Sequence, residues 1–175
     1  MKTYSLFLIL LATYSLSGFG ANRPGRSEIT QAKMAPSTTI LSVGPALEIP
    51  GEGKALPGFS FSAATPVSST VPLYVGADAG FYLDTADKFK GNIPVMAVMY
   101  LEFATGGRVH PLLGVSAGPV FGVGEGQKSV QFGMLLKPGL NISLSNDIDL
   151  NIESRLGVYG STFVYLPQIA ASFTI

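Results

Sequence analysis

Apolar and polar residues alternate with a period of two along most of the chain from Thr39 onward. Between Ile148 and Glu153, every even position is apolar and every odd position is polar or charged. Successive side chains of a β-strand point to opposite faces, so such a segment has one apolar face and one polar face. The pattern predicts a sheet rather than helices, in which apolar positions recur every three or four residues.

The alternation predicts eight strands, with expected limits at 39–48, 57–66, 71–84, 93–104, 108–123, 129–145, 148–160 and 163–175. Three connections are short and rich in turn-forming residues, namely 67–70, 105–107 and 145–147. The connections at 49–56, 84–92 and 124–128 are mostly longer or more polar, whereas the last one, at 160–162, is short. Tight turns on one rim and longer loops on the other are typical of outer-membrane barrels.

The polar faces of these strands also carry many glycines and tyrosines, which indicates a barrel with lipid outside and polar groups inside. We therefore expect an all-β fold, an eight-stranded antiparallel up-and-down transmembrane barrel. Residues 149, 151, 153 and 155 should point into it, and residues 148, 150, 152 and 156 into lipid. Tyrosine rings should cover the space left by neighbouring inward glycines.

The N-terminus predicts export and one barrel domain. Met1-Lys2 gives a positive start, Leu6 to Leu11 forms an apolar centre, and small residues precede an expected cleavage near Gly20–Ala21. We expect a signal peptide at 1–20, a flexible periplasmic leader at 21–37, and the barrel at 38–175.

Composition narrows the function classes. The chain is 47% hydrophobic and 13% charged, yet no other stretch approaches the roughly 20 apolar residues of a membrane helix. A formal net charge of zero argues against nucleic-acid binding. Cysteine is absent, so disulfides do not hold the fold together.

Ionisable residues on the inward faces predict an interior polar cluster: Asp78, Glu102, Arg108, His110, Lys137, Asp149, Glu153 and Arg155. A turn at 145–147 sets Lys137 opposite Arg155, with Glu153 diagonal to Lys137. An ion or proton path is one interpretation. A salt-bridged plug is favoured, because eight strands leave an interior just wide enough for side chains.

The single histidine offers little for chemistry. A turn centred on Gly106 sets His110 opposite Glu102 near the periplasmic rim, with Arg108 close by. Ser116 lies on the same face but roughly 20 Å away, too far for a nucleophile and its base. One histidine without cysteine does not suit a transition metal. The glycine-rich stretches at 51–54 and 122–126 lack a complete phosphate-binding motif. Taken together, these observations predict no catalytic, cofactor or metal site.

From Leu73 on, the chain resembles the small eight-stranded outer-membrane β-barrel family of Gram-negative bacteria. The resemblance lies in Tyr74-Val75-Gly76-Ala77-Asp78-Ala79-Gly80-Phe81-Tyr82 and in the hairpin from Tyr100 to Gly118, whose second strand is rich in glycine and alanine after Pro111. It implies an outer-membrane location, contact with outer-membrane lipid, and recognition by the barrel-assembly machinery. Family members usually end in an aromatic residue, whereas this sequence has Ile175, with Phe173 two positions earlier.

The sequence thus predicts a non-enzymatic outer-membrane protein, structural or surface-interacting, monomeric, and plugged by its own side chains. One alternative is a lipid-remodelling enzyme, although the closely spaced histidine and serine of such relatives are missing. The other is a soluble periplasmic lipid-binding barrel, in which the apolar faces point inward. Whether Phe132 or Lys137 faces outward distinguishes this soluble barrel from a transmembrane barrel.

Overall fold

The described part of the chain forms one closed antiparallel barrel. A computed structural model describes residues 39–68, 71–84, 90–124 and 129–175. Its strands are β1 (Ile40–Pro50), β2 (Leu56–Pro66), β3 (Leu73–Asp84), β4 (Lys90–Glu102), β5 (Val109–Val123), β6 (Val130–Ser143), β7 (Ile148–Tyr159) and β8 (Thr162–Thr174). Each strand pairs with its neighbour in chain order, and β8 closes on β1. The predicted all-β up-and-down barrel is confirmed, whereas the signal peptide and the leader lie outside the described residues.

The strand limits agree closely with those predicted from alternation. The largest difference is β4, which begins at Lys90 rather than at residue 93. Gly91 pairs with Leu83 on one side and with Val123 on the other, so the ladder continues beyond Pro94. Within the described ranges no helix is long and apolar enough to cross a membrane.

The two rims of the barrel differ. One rim, which we call the turn rim, holds the connections 67–72, 103–108 and 144–147. The start of β1 and the end of β8 also lie there, and the backbones of Thr39 and Ile175 exchange two hydrogen bonds of 2.9 Å. The loop rim holds the connections that follow β1, β3, β5 and β7. The last of these is only two residues long and turns at Gly160, whose φ of 59° favours glycine.

The outer wall is apolar. Phe132 is 61% exposed whereas Lys137 is 2% exposed, so the apolar faces of the strands point outward. Asp149, Asn151, Glu153 and Arg155 are all buried, as predicted. This orientation contradicts the soluble lipid-binding alternative, which requires apolar faces inside.

No charged side chain occupies an outward position of the eight described strands. The polar outward residues are Thr65, Ser154 and Tyr165, and the hydroxyls of Ser154 and Tyr165 lie 3.3 Å apart, within hydrogen-bond distance of each other. Mutual hydrogen bonding lowers the cost of placing hydroxyls in an apolar surrounding. The wall is therefore suited to hydrocarbon around its whole circumference.

Inward glycines make room for tyrosine rings and for neighbouring backbone. A Cβ atom added to Gly80 would lie 2.5 Å from Cε2 of Tyr82, and one added to Gly133 would lie 2.9 Å from Cδ1 of Tyr159. The predicted packing of rings over glycines is confirmed. At Gly76 the neighbour is backbone, because a Cβ there would lie 1.9 Å from the carbonyl oxygen of Ala63.

Candidate functional site

Four charged side chains meet in the middle of the barrel. Lys137 on β6 places its Nζ 2.5 Å from Oδ2 of Asp78 on β3 and 3.5 Å from Oε2 of Glu153 on β7. Arg155, also on β7, places its Nε 2.7 Å from the same Glu153 oxygen and its Nη1 3.9 Å from Oδ2 of Asp78. We call these residues the central quartet. Two cations and two carboxylates balance each other there.

The register of β6 and β7 builds half of the central quartet. The pairs Leu136↔Leu156 and Gly139↔Glu153 set Lys137 opposite Arg155, with Glu153 diagonal to the lysine, as the turn at 145–147 predicted. The pairing is interrupted between them, at Pro138, which has no N–H to donate. In the closed order, β3 is three strands from β6 and four strands from β7. The ion pairs of Asp78 with Lys137 and Arg155 therefore cross the lumen.

An apolar layer lies between the central quartet and the loop rim. Tyr82 and Tyr159 follow quartet residues by four positions on strands that run toward that rim, so their rings belong to this layer. It consists of Ala46, Tyr82, Met96, Val120, Leu135, Tyr159, Val164 and Leu166, with Leu56 packed against it. Two successive layers of different chemistry therefore lie in the interior of the barrel.

A third set of interior side chains lies toward the turn rim. The rings of Tyr74 and Tyr100 stack with centroids 4.8 Å apart and planes inclined by 9°. The Asn141 amide donates to Oδ2 of Asp149 at 3.3 Å. The predicted interior residue Asp149 therefore lies apart from the central quartet, in this lower layer.

Glu102 and His110 are brought together, but not by the register expected from the sequence. Glu102 pairs with Leu112 rather than with His110, because the β4–β5 hairpin is centred on Gly107 and not on Gly106, which shifts the pairing by two positions. The contact is instead diagonal, with Nδ1 of His110 3.9 Å from Oε1 of Glu102. Arg108 is exposed in the turn and does not join the interior cluster.

The arrangement around the histidine does not resemble a catalytic site. Ser116, the serine on the same face, directs its Oγ to the sulfur of Met96 at 3.5 Å, not to His110. The described residues also contain no group of three His, Cys, Asp or Glu side chains suited to holding a metal ion. Nucleophilic or metal chemistry would need such a grouping.

A polar cavity opens at the loop rim above the apolar layer. Its volume is about 590 Å³. We call it the vestibule. Its lining combines carboxylates, lysines, amides and hydroxyls. The lining residues come from every strand except β5, from the β1–β2 loop, and from the residue before β6: Glu48, Glu52, Lys54, Asp84, Lys90, Asn92, Ser129, Gln131, Tyr159 and Thr162, with Pro50, Gly53, Leu56 and Gly91.

Sequence reasoning missed two residues of the vestibule floor, Glu48 and Asn92. The Asn92 amide donates to Oε1 of Glu48 at 2.5 Å, and Glu48 is only 1% exposed. Both residues lie at or beyond the predicted ends of their strands, so the alternation did not mark them as interior. The even parity of Glu48, opposite to that of the outward Leu41, Val43 and Leu47, could have identified it.

Several small outer-membrane barrels of known structure are similar to this barrel. The Neisserial surface protein A matches with a TM-score of 0.59 and 16% identity over 79% of this chain and 95% of that chain. The attachment invasion locus protein Ail of Yersinia pestis gives 0.56 and 13% over 81% and 100%. Outer membrane protein OprG of Pseudomonas aeruginosa gives 0.59 and 9% over 79% and 95%.

These similarities confirm the predicted resemblance at the level of the fold. The chain has the architecture of the small eight-stranded transmembrane barrels. No family model matches the sequence, and no curated protein is significantly similar to it.

Proposed function

We propose that this chain is a non-enzymatic integral protein of the bacterial outer membrane, with a structural or surface-interacting role and a lumen closed by side chains. One observation carries the proposal. Large apolar side chains are exposed around the wall, while the quartet charges lie inside it. A bilayer penalises charge on the lipid face and favours apolar residues there, so this distribution suits a membrane and not water.

The layers described above support a closed lumen. The central quartet is pinned across the barrel by ion pairs, and the apolar layer fills the section between it and the vestibule. A continuous water column would have to break those ion pairs and hydrate apolar side chains. The surface role therefore falls to the loop rim and its vestibule rather than to transport through the lumen.

We further propose that the barrel inserts as a monomer through the barrel-assembly machinery and then contacts lipid with its whole outer wall. The outward positions of the described strands support this, because none of them is charged and the only polar residues among them are Thr65, Ser154 and Tyr165. Light scattering of the purified protein, corrected for bound detergent, should give the mass of one chain. A dimer mass would overturn the monomer proposal.

Membrane fractionation with heat-modifiable gel mobility tests the membrane proposal. We expect the protein in the outer-membrane fraction, and we expect unheated and boiled samples to migrate differently, since a closed barrel resists detergent until it is heated. Recovery in the soluble periplasmic fraction would contradict the proposal. Planar bilayers test the closed lumen separately: pure protein should give no stable steps of nanosiemens size.

A further inference from the structure

Glu48 forms the floor of the vestibule and is incompletely satisfied there. Its Oε1 accepts from the Asn92 amide, whereas its Oε2 is buried without a hydrogen-bond partner. In the described part of the chain no cation lies within ion-pair distance of this carboxylate, and the only donor to it is a neutral amide. A buried carboxylate held by one neutral donor is strongly disfavoured unless it takes up a proton or a cation joins it.

The surroundings of Glu48 are rich in hydrogen-bond acceptors. The Tyr159 hydroxyl is buried and lacks a partner, and Gln131 contributes a side-chain carbonyl to the same cavity. A metal ion is not indicated, because the described residues offer no three-carboxylate or histidine grouping. A primary ammonium group, with three N–H donors and a positive charge, matches one carboxylate and neutral oxygen acceptors.

Charges at the mouth of the vestibule have both signs. Glu52 and Lys54 lie on the β1–β2 loop, and Asp84 and Lys90 are cross-strand partners at the ends of β3 and β4, each engaged in polar contacts. Counting Glu48, the carboxylates exceed the lysines of the lining by one. The mouth therefore tolerates a second charged group of either sign on a ligand whose ammonium reaches the floor.

We propose that the vestibule is a binding site for a small hydrophilic molecule with a primary ammonium group, and that this group pairs with Glu48. The terminal torsion of a glutamate is broad, so rotation of the carboxylate brings Oε2 toward the cavity. The site deepens the proposed surface role and rests on it only for the side of the membrane that the vestibule faces.

Calorimetric titration of the folded barrel in detergent micelles tests the proposal. The probes are methylammonium, glycine and putrescine, with tetramethylammonium as a cation that lacks N–H donors. Glu48→Gln should weaken ammonium binding about tenfold or more, because it removes the charge from a charge-assisted hydrogen bond but keeps the shape. The matched control is Glu52→Gln, a loop carboxylate on the same cavity, with an expected change below about threefold.

Each outcome has a defined meaning. Tighter binding of glycine than of methylammonium supports the site and identifies an amino-acid type ligand held at the mouth by a lysine; tighter binding of putrescine supports it and identifies a polyamine. Absence of saturable binding, equal binding of tetramethylammonium, or unchanged binding by Glu48→Gln would overturn it. Heat-modifiable mobility of both variants, recorded in parallel, separates loss of the site from loss of the barrel.

Discussion

Nζ of Lys137 lies 2.5 Å from Oδ2 of Asp78, and this ion pair crosses the barrel interior between strands that are three apart in the closed order. Lys137→Met leaves Arg155 to balance two buried carboxylates. We expect the free energy of unfolding to fall by about 3–5 kcal/mol, because removal of one partner of a buried ion pair leaves an uncompensated charge. Urea-induced unfolding in phospholipid vesicles measures the change.

The control for this substitution is the double variant Asp78→Asn with Lys137→Met. It leaves Glu153 and Arg155 as a balanced pair whose Nε–Oε2 distance is 2.7 Å. We expect the double variant to recover most of the lost stability, since its remaining charges are matched. If the two substitutions prove simply additive, the central quartet does not act as one electrostatic unit.

A charge on the outer wall should have an effect that depends on its depth. Ala97 is exposed at the middle of β4, whereas Leu144 is exposed at the turn rim. Ala97→Arg should reduce the free energy of unfolding in vesicles by about 2–4 kcal/mol, and Leu144→Arg by about 0–1 kcal/mol, because the bilayer penalty is largest at mid-depth. Equal costs at both positions would argue that the wall does not lie in hydrocarbon.

Gly76 should not tolerate even one added carbon. The backbone of β2 occupies the space that a side chain would need, because a Cβ added to Gly76 would lie 1.9 Å from the carbonyl oxygen of Ala63. We expect Gly76→Ala to cost about 1–3 kcal/mol, or to prevent formation of the heat-modifiable barrel, because backbone atoms would have to move. Gly107→Ala is the control, since a Cβ added to Gly107 would lie 3.8 Å from Oγ1 of Thr105, an ordinary contact distance.

The two layers of the lumen should close it redundantly. Tyr82→Ala opens the apolar layer and leaves the central quartet, while Asp78→Asn with Lys137→Met changes the quartet and leaves the apolar layer. We expect neither variant to conduct in planar bilayers, and the combination of all three substitutions to give resolvable current steps. Conductance from Tyr82→Ala alone would show that the quartet is not a seal.

Much of this architecture is predictable because one physical rule dominates it. The period of two assigned each strand and each face correctly. The short turn at 145–147 fixed the positions of Arg155 and Glu153 relative to Lys137. The predicted β4–β5 register was wrong because the hairpin is centred on Gly107 and not on Gly106. Two adjacent glycines can each occupy the centre of a turn, so the sequence alone does not choose between them.

The vestibule was harder to predict for a different reason. Glu48 and Asn92 come from strands that are three apart along the barrel order, and their contact depends on the stagger of the strands around the closed wall. Alternation along a single strand carries no information about that stagger. The same limit applies to part of the central quartet. The contact between Asp78 and Lys137 also joins strands that are three apart, whereas Glu153 and Arg155 lie on the strand next to Lys137.

The central quartet and the apolar layer are built from residues of the strands themselves. The connection residues that the structure describes at the loop rim, at 51–55, 124, 129 and 160–161, belong neither to the central quartet nor to the apolar layer. Substitution of those residues should therefore leave the packing of both layers unchanged. Such a barrel can serve as a scaffold on which surface residues of one rim are exchanged while the wall keeps its fold.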